Sequence, residues 1–196
     1  MKSNFILILF WFAFKTTQIR SLKIKDGLSC QINNCKYSNE YLFSSYYDGF
    51  DRQDGFDHKK VYTSQLTSIP DYRQSVWRLD KVKWLNNTFY LTNIYHENYR
   101  LCATHRFLDG FNYRRIVYLV KLNRESMVTN LKCVWEFDDR IDSTKEGKYM
   151  IWNRYYGEPL YAASFLFKSI SSNKRNVYTW FKNPDSDQFE WKLNCF

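Results

Sequence analysis

The chain has 196 residues, of which 20% are aromatic and 25% charged, and its formal net charge is +9. This length suits a single domain that buries one core. Acidic and basic residues are mixed along the chain rather than grouped in blocks, and this pattern does not favour nucleic-acid binding. The high aromatic content favours β-strands, because aromatic side chains pack well on pleated surfaces.

Residues 1–21 show the pattern of a secretory signal peptide, which would leave residues 22–196 as one mature domain. Lys2 supplies a positive start, and the apolar run at 5–14 is shorter than the ~20 residues that cross a bilayer. Because this segment holds three basic residues and no acid, the mature chain keeps 26 of the 29 basic residues against 20 acidic ones, or +6. An N-terminal anchor helix is the alternative. We expect a secreted, extracellular protein without a membrane span.

The remaining chain repeats one pattern three times, with copies at approximately 28–82, 83–140 and 141–196. Three kinds of landmark keep a period of about 58 residues, and a chance agreement among all three is improbable. These landmarks are Leu42, Leu101 and Leu160; Val61, Val117 and Val177; and Trp77, Trp135 and Trp191.

Each copy predicts four strands, because apolar residues alternate with a period of two around the landmarks. In the middle and last copies we expect first strands at 89–93 and 149–153, second strands at 101–103 and 160–162, third strands at 116–122 and 177–181, and fourth strands at 135–137 and 191–193.

Twelve strands in three copies predict an all-β fold, the β-trefoil, in which a six-stranded barrel is closed by three hairpins. One copy cannot bury its own apolar face, whereas three copies around an axis can, and closure removes exposed strand edges. A three-bladed propeller is the competing interpretation, but propellers typically have at least four blades.

Five cysteines in a secreted chain predict disulfides. In a closed barrel the first and last strands are neighbours, so Cys30, at the start of the first strand, is expected to pair with Cys195, at the end of the last. Cys102 and Cys133 are the second expected pair, and Cys35 is left free or pairs with another chain. No Cys/His spacing suggests a zinc site.

The chain has one N-glycosylation sequon, Asn86-Asn87-Thr88, between the first and middle copies. Such a sequon acts in surface loops of secreted proteins. Asn86 is therefore a candidate glycosylation site and marks an expected surface loop.

No motif for catalysis is present in the sequence. His58, His96 and His105 lie outside any recognisable nucleophile, metal or phosphate motif, so we expect a protein that is not an enzyme and needs no cofactor. The acidic loop 48–57, which Asp109-Gly110-Phe111 echoes, has oxygen ligands suited to calcium. Its spacing does not match an EF-hand, and Asp-Gly is a favoured hairpin dipeptide, so a hairpin is the preferred interpretation.

Basic residues recur just before the predicted third strand of every copy. Gathered together, they would form a positive surface for sulfated sugars, phosphates or acidic lipids. The alternative is that each pairs with a nearby carboxylate or lies over strand aromatics. These positions are Lys59, Lys60, Arg114, Arg115, Lys174 and Arg175.

Sugar binding is typical of trefoils, but the ricin-type Gln-x-Trp motif is not kept. Gln74 and Gln188 each lie one residue further from their tryptophan than the motif requires, and the middle copy lacks the Gln. We therefore expect the three landmark tryptophans to lie in the core. Exposed turn residues that could contact a sugar are Tyr156, Asn98 and Asn39.

The segments 153–163 (NRYYGEPLYAA), 174–180 (KRNVYTW) and 191–193 (WKL) resemble secreted, partly salivary, proteins of mosquitoes and related flies, of the cysteine- and tryptophan-rich type. More distantly, they are similar to the trefoil domain of lepidopteran low-molecular-weight lipoproteins, whose additional helical domain has no counterpart here. The resemblance implies a secreted insect β-trefoil that has no defined enzymatic activity and binds sugars or host molecules.

The leading functional hypothesis is lectin-like binding of glycans, including sulfated polysaccharides, by a monomer. The alternatives are an effector that binds a host or partner protein and, third, a storage or structural protein. Because the repeated residues are those that a barrel needs three times, we expect the function to lie where the copies differ. That criterion points to the loop 48–57, to positions 114–115 and 174–175, and to Cys35.

Overall fold

The computed structural model describes residues 24–45, 58–107, 114–121, 130–138, 147–167, 174–181 and 187–196. Regular structure in these ranges consists of β-strands and short 3-10 helices, so the prediction of an all-β class is confirmed. None of those helices has the length and apolar composition that a membrane span requires. The predicted signal peptide 1–21, the acidic loop 48–57 and the Asp109-Gly110-Phe111 echo lie outside the described residues.

The described ranges contain twelve strands. They are β1 (Leu28–Asn34), β2 (Glu40–Ser44), β3 (His58–Gln65), β4 (Val76–Lys81), β5 (Thr88–Asn93), β6 (Tyr99–Phe107), β7 (Arg114–Lys121), β8 (Val134–Asp138), β9 (Lys148–Asn153), β10 (Glu158–Phe167), β11 (Lys174–Trp180) and β12 (Glu190–Cys195). The 3-10 helices at Tyr72–Ser75, Leu131–Cys133 and Asp187–Phe189 directly precede β4, β8 and β12.

Antiparallel pairing closes six of the strands into a ring. Its order is β1–β4–β5–β8–β9–β12, and β12 pairs again with β1. The other six strands form the hairpins β2–β3, β6–β7 and β10–β11. Within these hairpins, β3, β7 and β11 also pair with one another. Both the six-stranded ring and the group of three hairpins therefore close by strand pairing, which leaves few open edges among the described strands.

The seam of the ring lies between β1 and β12, as the sequence predicts. These strands are antiparallel neighbours, and Cys30 lies opposite Cys195 in the register. The two cysteines form a disulfide, and so do Cys102 and Cys133, which are the expected pairs. Cys30 is the third residue of β1 rather than its first. Cys35 is a half-buried free thiol.

The three landmark tryptophans lie in the core, which confirms their interpretation as core residues. Each is completely buried. Each indole Nε1 donates a hydrogen bond to a leucine carbonyl of the second strand in the same copy, so the burial leaves no polar group of the ring unsatisfied. The pairs are Trp77 with Leu42 at 2.9 Å, Trp135 with Leu101 at 2.8 Å, and Trp191 with Leu160 at 3.0 Å.

A buried asparagine at the end of the first strand fixes the following turn in every copy. Asn153 is representative, because its Oδ1 accepts a hydrogen bond from the Tyr156 backbone N–H and its Nδ2 donates to the Lys132 carbonyl. Asn34 and Asn93 make the corresponding bonds in the other copies. The turns after β1, β5 and β9 are therefore held from inside the protein.

Several strand boundaries differ from the sequence predictions, and two of the differences change the place of residues discussed above. The third strands begin earlier than expected, at Arg114 in β7 and Lys174 in β11, because Arg114 pairs with Trp180 of β11 and Lys174 pairs with Phe167 of β10. The basic pairs thus lie inside the strands and not before them. β6 continues to Phe107, which pairs with Arg115 after a register shift, so His105 lies within the strand and not after it.

Candidate functional site

Arg175, one of the predicted anion-binding residues, is engaged by a buried carboxylate. Its Nε lies 2.8 Å from Oε1 of Glu40, whose other oxygen accepts a hydrogen bond from Thr63 at 2.7 Å. The guanidinium also lies 3.6 Å from the ring centroid of Tyr37. This charge is neutralised within the protein, so it does not add to a positive surface.

Arg115 repeats this arrangement between the middle and last copies. Its Nε lies 2.8 Å from Oε1 of Glu158, and Thr179 donates to the other oxygen at 2.6 Å. The guanidinium lies over Tyr156, 3.9 Å from the ring centroid. Tyr156, a predicted sugar contact, is therefore half-buried under this arginine, and burial raises the pKa of its phenol. We refer to these two sets of residues as the Arg–Glu clamps.

Three further basic residues lie near aromatic rings. Lys59 lies 5.2 Å from the ring centroid of Tyr99, and Arg114 lies 5.3 Å from that of Tyr178. Lys174 lies 5.5 Å from the ring centroids of Phe43 and Tyr62. These contacts match the alternative interpretation, in which the basic side chains pair with carboxylates or lie over strand aromatics.

Lys60, the sixth predicted anion-binding residue, is exposed on β3. Asn39 and Asn98, the remaining predicted sugar contacts, are exposed in the turns after β1 and β5. The structure thus places the three residues on the surface but assigns them no common site. The anion-binding prediction keeps Lys60 as a solvent-facing member.

The outward faces of three equivalent strand pairs show where the copies differ. On the β4–β5 pair, Arg78 lies opposite Thr92. Both side chains donate to the Asp80 carboxylate, at 2.6 Å from Arg78 and 2.7 Å from Thr92. The polar side chains of this face therefore form hydrogen bonds with one another.

The pair β12–β1, at the seam of the ring, also has hydrogen bonds among the polar groups of its outer face. Lys192 lies opposite Asn33 in the register. Asn194 donates to Oδ1 of Asn33 at 3.2 Å, and Asn33 donates in turn to the Ser38 carbonyl at 3.2 Å. The polar groups of this face are used by neighbouring residues.

The β8–β9 pair differs because Trp152 occupies the position that Thr92 and Asn33 hold in the other two pairs. Trp152 lies opposite Glu136. Around it is a cleft of about 360 Å³, which we call the Trp152 cleft. The cleft is lined by Glu136, Asp138, Trp152, Asn153, Arg154 and Gly157.

Trp152 combines a partly exposed ring with an unpaired polar group. The ring packs on an aromatic cluster that includes Tyr161, Tyr178 and Phe189, while the residue itself stays half-exposed. Its Nε1 is buried and makes no hydrogen bond within the described part of the chain. An unpaired buried N–H is costly unless a further group accepts its hydrogen bond.

Polar residues surround the ring. Arg154 pairs with Glu136 at 3.0 Å, and Asn153 is held by its own turn bonds. Gly157 has a φ of 63°, which suits glycine, and a Cβ there would meet no heavy atom within 4 Å. Because the lining has two carboxylates and one guanidinium, its formal charge is −1. An apolar ring beside carboxylate acceptors can bind an uncharged polyol and disfavours an anion.

Residues that could hold a metal do not collect in the described ranges. No three His, Cys, Asp or Glu side chains there come close enough to coordinate an ion. His58, His96 and His105 occupy separate elements, namely the start of β3, the turn after β5 and the strand β6. The calcium alternative concerned the loop 48–57, which lies outside these ranges.

The sequence did not single out Trp152, although this residue stands at a position where the copies differ. The signal was available in the alignment of Thr92 with Trp152. Trp152 was not distinguished from ordinary strand aromatics, because the sequence alone does not separate a half-buried tryptophan from a core tryptophan.

Comparisons with known proteins identify a fold but no family. No protein-family model and no curated protein matches the chain. A Caenorhabditis elegans protein of unknown function has a similar solved structure, with 12% identity, a TM-score of 0.64, and coverage of 86% of this chain and 94% of that one. These likenesses, including the two that follow, are below 25% identity and show a shared fold.

Two further solved structures are from proteins with stated roles. One is a salivary protein from Culex quinquefasciatus of the cysteine and tryptophan-rich family, with 16% identity, a TM-score of 0.57, and coverage of 85% of this chain and 92% of that one. The other is a Polyporus squamosus lectin bound to a sialylated trisaccharide, with 13% identity, a TM-score of 0.59, and coverage of 87% of this chain and 50% of that one.

Proposed function

We propose that this chain is a secreted, non-enzymatic carbohydrate-binding protein, and that it binds its sugar in the Trp152 cleft. The observation that carries the proposal is the half-exposed indole of Trp152, whose buried Nε1 has no partner among the described residues, in a cleft that Glu136 and Asp138 also line. Indole rings present an apolar face together with a hydrogen-bond donor, a combination that suits the mixed surface of a sugar.

The proposed fold is a β-trefoil of three repeats, at approximately 28–82, 83–140 and 141–196. The closed ring of six strands and the three mutually paired hairpins support it. So do the three tryptophan-to-leucine hydrogen bonds, which recur at equivalent positions. Membership of the mosquito salivary family is part of the same proposal and is supported by the similar fold of the Culex protein.

Secretion is proposed from the signal-peptide pattern of residues 1–21 and the two disulfides. Disulfides form and persist in oxidising compartments and are rare in the cytosol. The salivary protein of similar fold is in keeping with this location.

The charge of the cleft favours neutral glycans over sulfated or sialylated ones. Its formal charge is −1, and Arg154 is already paired with Glu136. The Arg–Glu clamps neutralise Arg115 and Arg175, so the predicted positive surface loses two of its six members. Sulfated polysaccharide is therefore the weaker ligand class.

A glycan array with the secreted protein tests this function. We expect signals on neutral glycans that are lost in excess free sugar and are weakened in Asp138→Asn. Binding confined to sulfated glycans would contradict the cleft as the site. A flat array would contradict carbohydrate binding altogether. To test for enzymatic activity, the array glycans are incubated with the protein and analysed by mass spectrometry, which should show no cleavage.

A partner protein is the second candidate, and one surface favours it. Tyr155 and Leu131 are 54% and 40% exposed, and Lys132 lies 5.6 Å from the Tyr155 ring centroid. An exposed aromatic side chain of this kind suits an interface. Loss of partner binding in Tyr155→Ala, together with a flat array, would support this role over the sugar-binding one.

A further inference from the structure

The turn between β4 and β5 brings an exposed tryptophan next to the glycosylation sequon. Trp84 is 56% exposed, and Asn86 is also exposed. Leu85, between them, packs against the core cluster that contains Val82 and Cys133. The turn is thus anchored by its central side chain, while both neighbours of Leu85 remain in solvent.

Hydrogen bonds hold the backbone of this turn. Val82 donates to the Thr88 carbonyl at 3.0 Å, and Leu85 donates to the Val82 carbonyl at 3.2 Å. The buried Thr88 hydroxyl donates to the Leu85 carbonyl at 3.2 Å. Asn87 has a φ of 51°, a left-handed conformation that Asn adopts more readily than most residues. The spacing between Trp84 and Asn86 in the folded chain is therefore set by contacts of the protein itself.

We propose that Asn86 carries an N-linked glycan and that the indole face of Trp84 packs against its first sugar. The two residues are two positions apart, so their Cα atoms lie within about 7 Å of each other. An N-acetylglucosamine on Asn86 Nδ2 would present its apolar ring face within reach of the indole. Tryptophan is suited to such a contact because it offers a large apolar face that is rigid beyond two side-chain torsions.

The modification is a transfer from a lipid-diphosphate-linked oligosaccharide. Nδ2 of Asn86 forms a bond to the anomeric carbon, and the bond from that carbon to the diphosphate oxygen breaks. The lipid diphosphate leaves with the electron pair, and the amide loses one proton. The step rests on the entry into the secretory pathway proposed above, and it is independent of sugar binding in the Trp152 cleft.

The arrangement accounts for an exposed aromatic residue beside a sequon. Stacking removes part of the Trp84 surface from water and restricts the glycan near its attachment point. Because the turn is already ordered, little conformational entropy is lost on contact. Glycosylation is therefore expected to stabilise the folded chain only when the indole is present.

The test uses the full chain secreted from insect cells, as wild type, Trp84→Ala, Asn86→Gln and the double variant. Amidase treatment should lower the intact mass of wild type and Trp84→Ala but not of the two variants that carry Asn86→Gln. In urea unfolding, the glycan should lower the unfolding equilibrium constant roughly fivefold to tenfold in the wild type and by less than about twofold in Trp84→Ala. Tyr72→Ala, at an exposed aromatic residue outside this turn, should leave the effect of the glycan unchanged.

Three outcomes would overturn the inference, and each contradicts a different claim: the modification, the stacking or the secretion. A secreted chain whose mass is unaffected by amidase would exclude the modification. An equal effect of the glycan in the wild type and in Trp84→Ala would exclude the stacking. A chain that stays in the cell without a glycan would contradict secretion as well. Sugar binding in the Trp152 cleft, measured with Asn86→Gln, should be unaffected, which separates this inference from the proposed function.

Discussion

At the scale of residues, the Arg–Glu clamps make a quantitative prediction about stability. Arg175→Ala leaves the Glu40 carboxylate buried without its cation, and the free energy of unfolding should fall by about 3 kcal/mol or more. The measurement is urea unfolding at neutral pH. Arg73→Ala is the matched control, because its pair with Asp71 is exposed and should contribute little. Equal losses in both variants would contradict the clamp.

Cys35 makes a prediction about pH. Burial raises the pKa of this thiol above its ordinary value of 9.0. The folded protein therefore keeps the thiol proton up to a higher pH than the unfolded chain does. This contribution to stability is full below pH 9 and is lost as the pH rises through the folded pKa.

Reactivity with a thiol reagent checks the state of Cys35. Because the thiolate is the reactive form, labelling of the folded protein should be slow at about pH 7 and should increase only in strongly alkaline buffer. Unfolded protein at the same pH should react faster. Rapid labelling of the folded protein in neutral buffer would show that the thiol is neither buried nor protonated.

At the scale of elements, the two disulfides should differ in their effect on stability. Cys30 and Cys195 are 165 residues apart, whereas Cys102 and Cys133 are 31 apart. In the chain-entropy model, replacing both cysteines of a pair by serine should cost about 5 kcal/mol for the first pair and about 4 kcal/mol for the second. The serine variants form a matched pair for comparison by urea unfolding. A larger loss for the second pair would contradict the seam as the main constraint.

The elements also show what the sequence could predict. Strand patterns around Leu101, Trp135 and their equivalents recur because a closed ring needs the same apolar positions in every copy, so the all-β class and both disulfides could be predicted. The extent of β6 and β7 could not, because the ladder between Phe107 and Arg115 depends on pairing rather than on periodicity.

The sequence could not predict the partners of the charged residues either. Arg175 and Glu40 are 135 residues apart, and Arg115 and Glu158 are 43 apart. Spacing along the chain gives no sign of either contact. The basic positions therefore suggested a positive surface, whereas two of them serve the internal structure.

At the scale of the whole molecule, the proposed site is distinguished by a residue that the repeated scaffold does not share. The Trp landmarks and buried asparagines recur in each copy and build the scaffold, whereas Trp152 stands where the other copies have Thr92 and Asn33. The Trp152 cleft could not be found from periodicity, since it depends on one side chain that the repeat does not share and on contacts across a strand pair. The proposed binding site therefore lies on one of the three outer faces.

The most direct test of sugar binding in the Trp152 cleft is calorimetric titration of the secreted protein with the neutral oligosaccharide that gives the strongest array signal. Trp152→Ala should lower the affinity at least about tenfold, because the stacking surface is lost. Asp138→Asn should weaken binding with the fold intact, and Trp84→Ala should bind as wild type does. Wild-type affinity in Trp152→Ala, with an unchanged unfolding curve, would contradict the Trp152 cleft as the binding site.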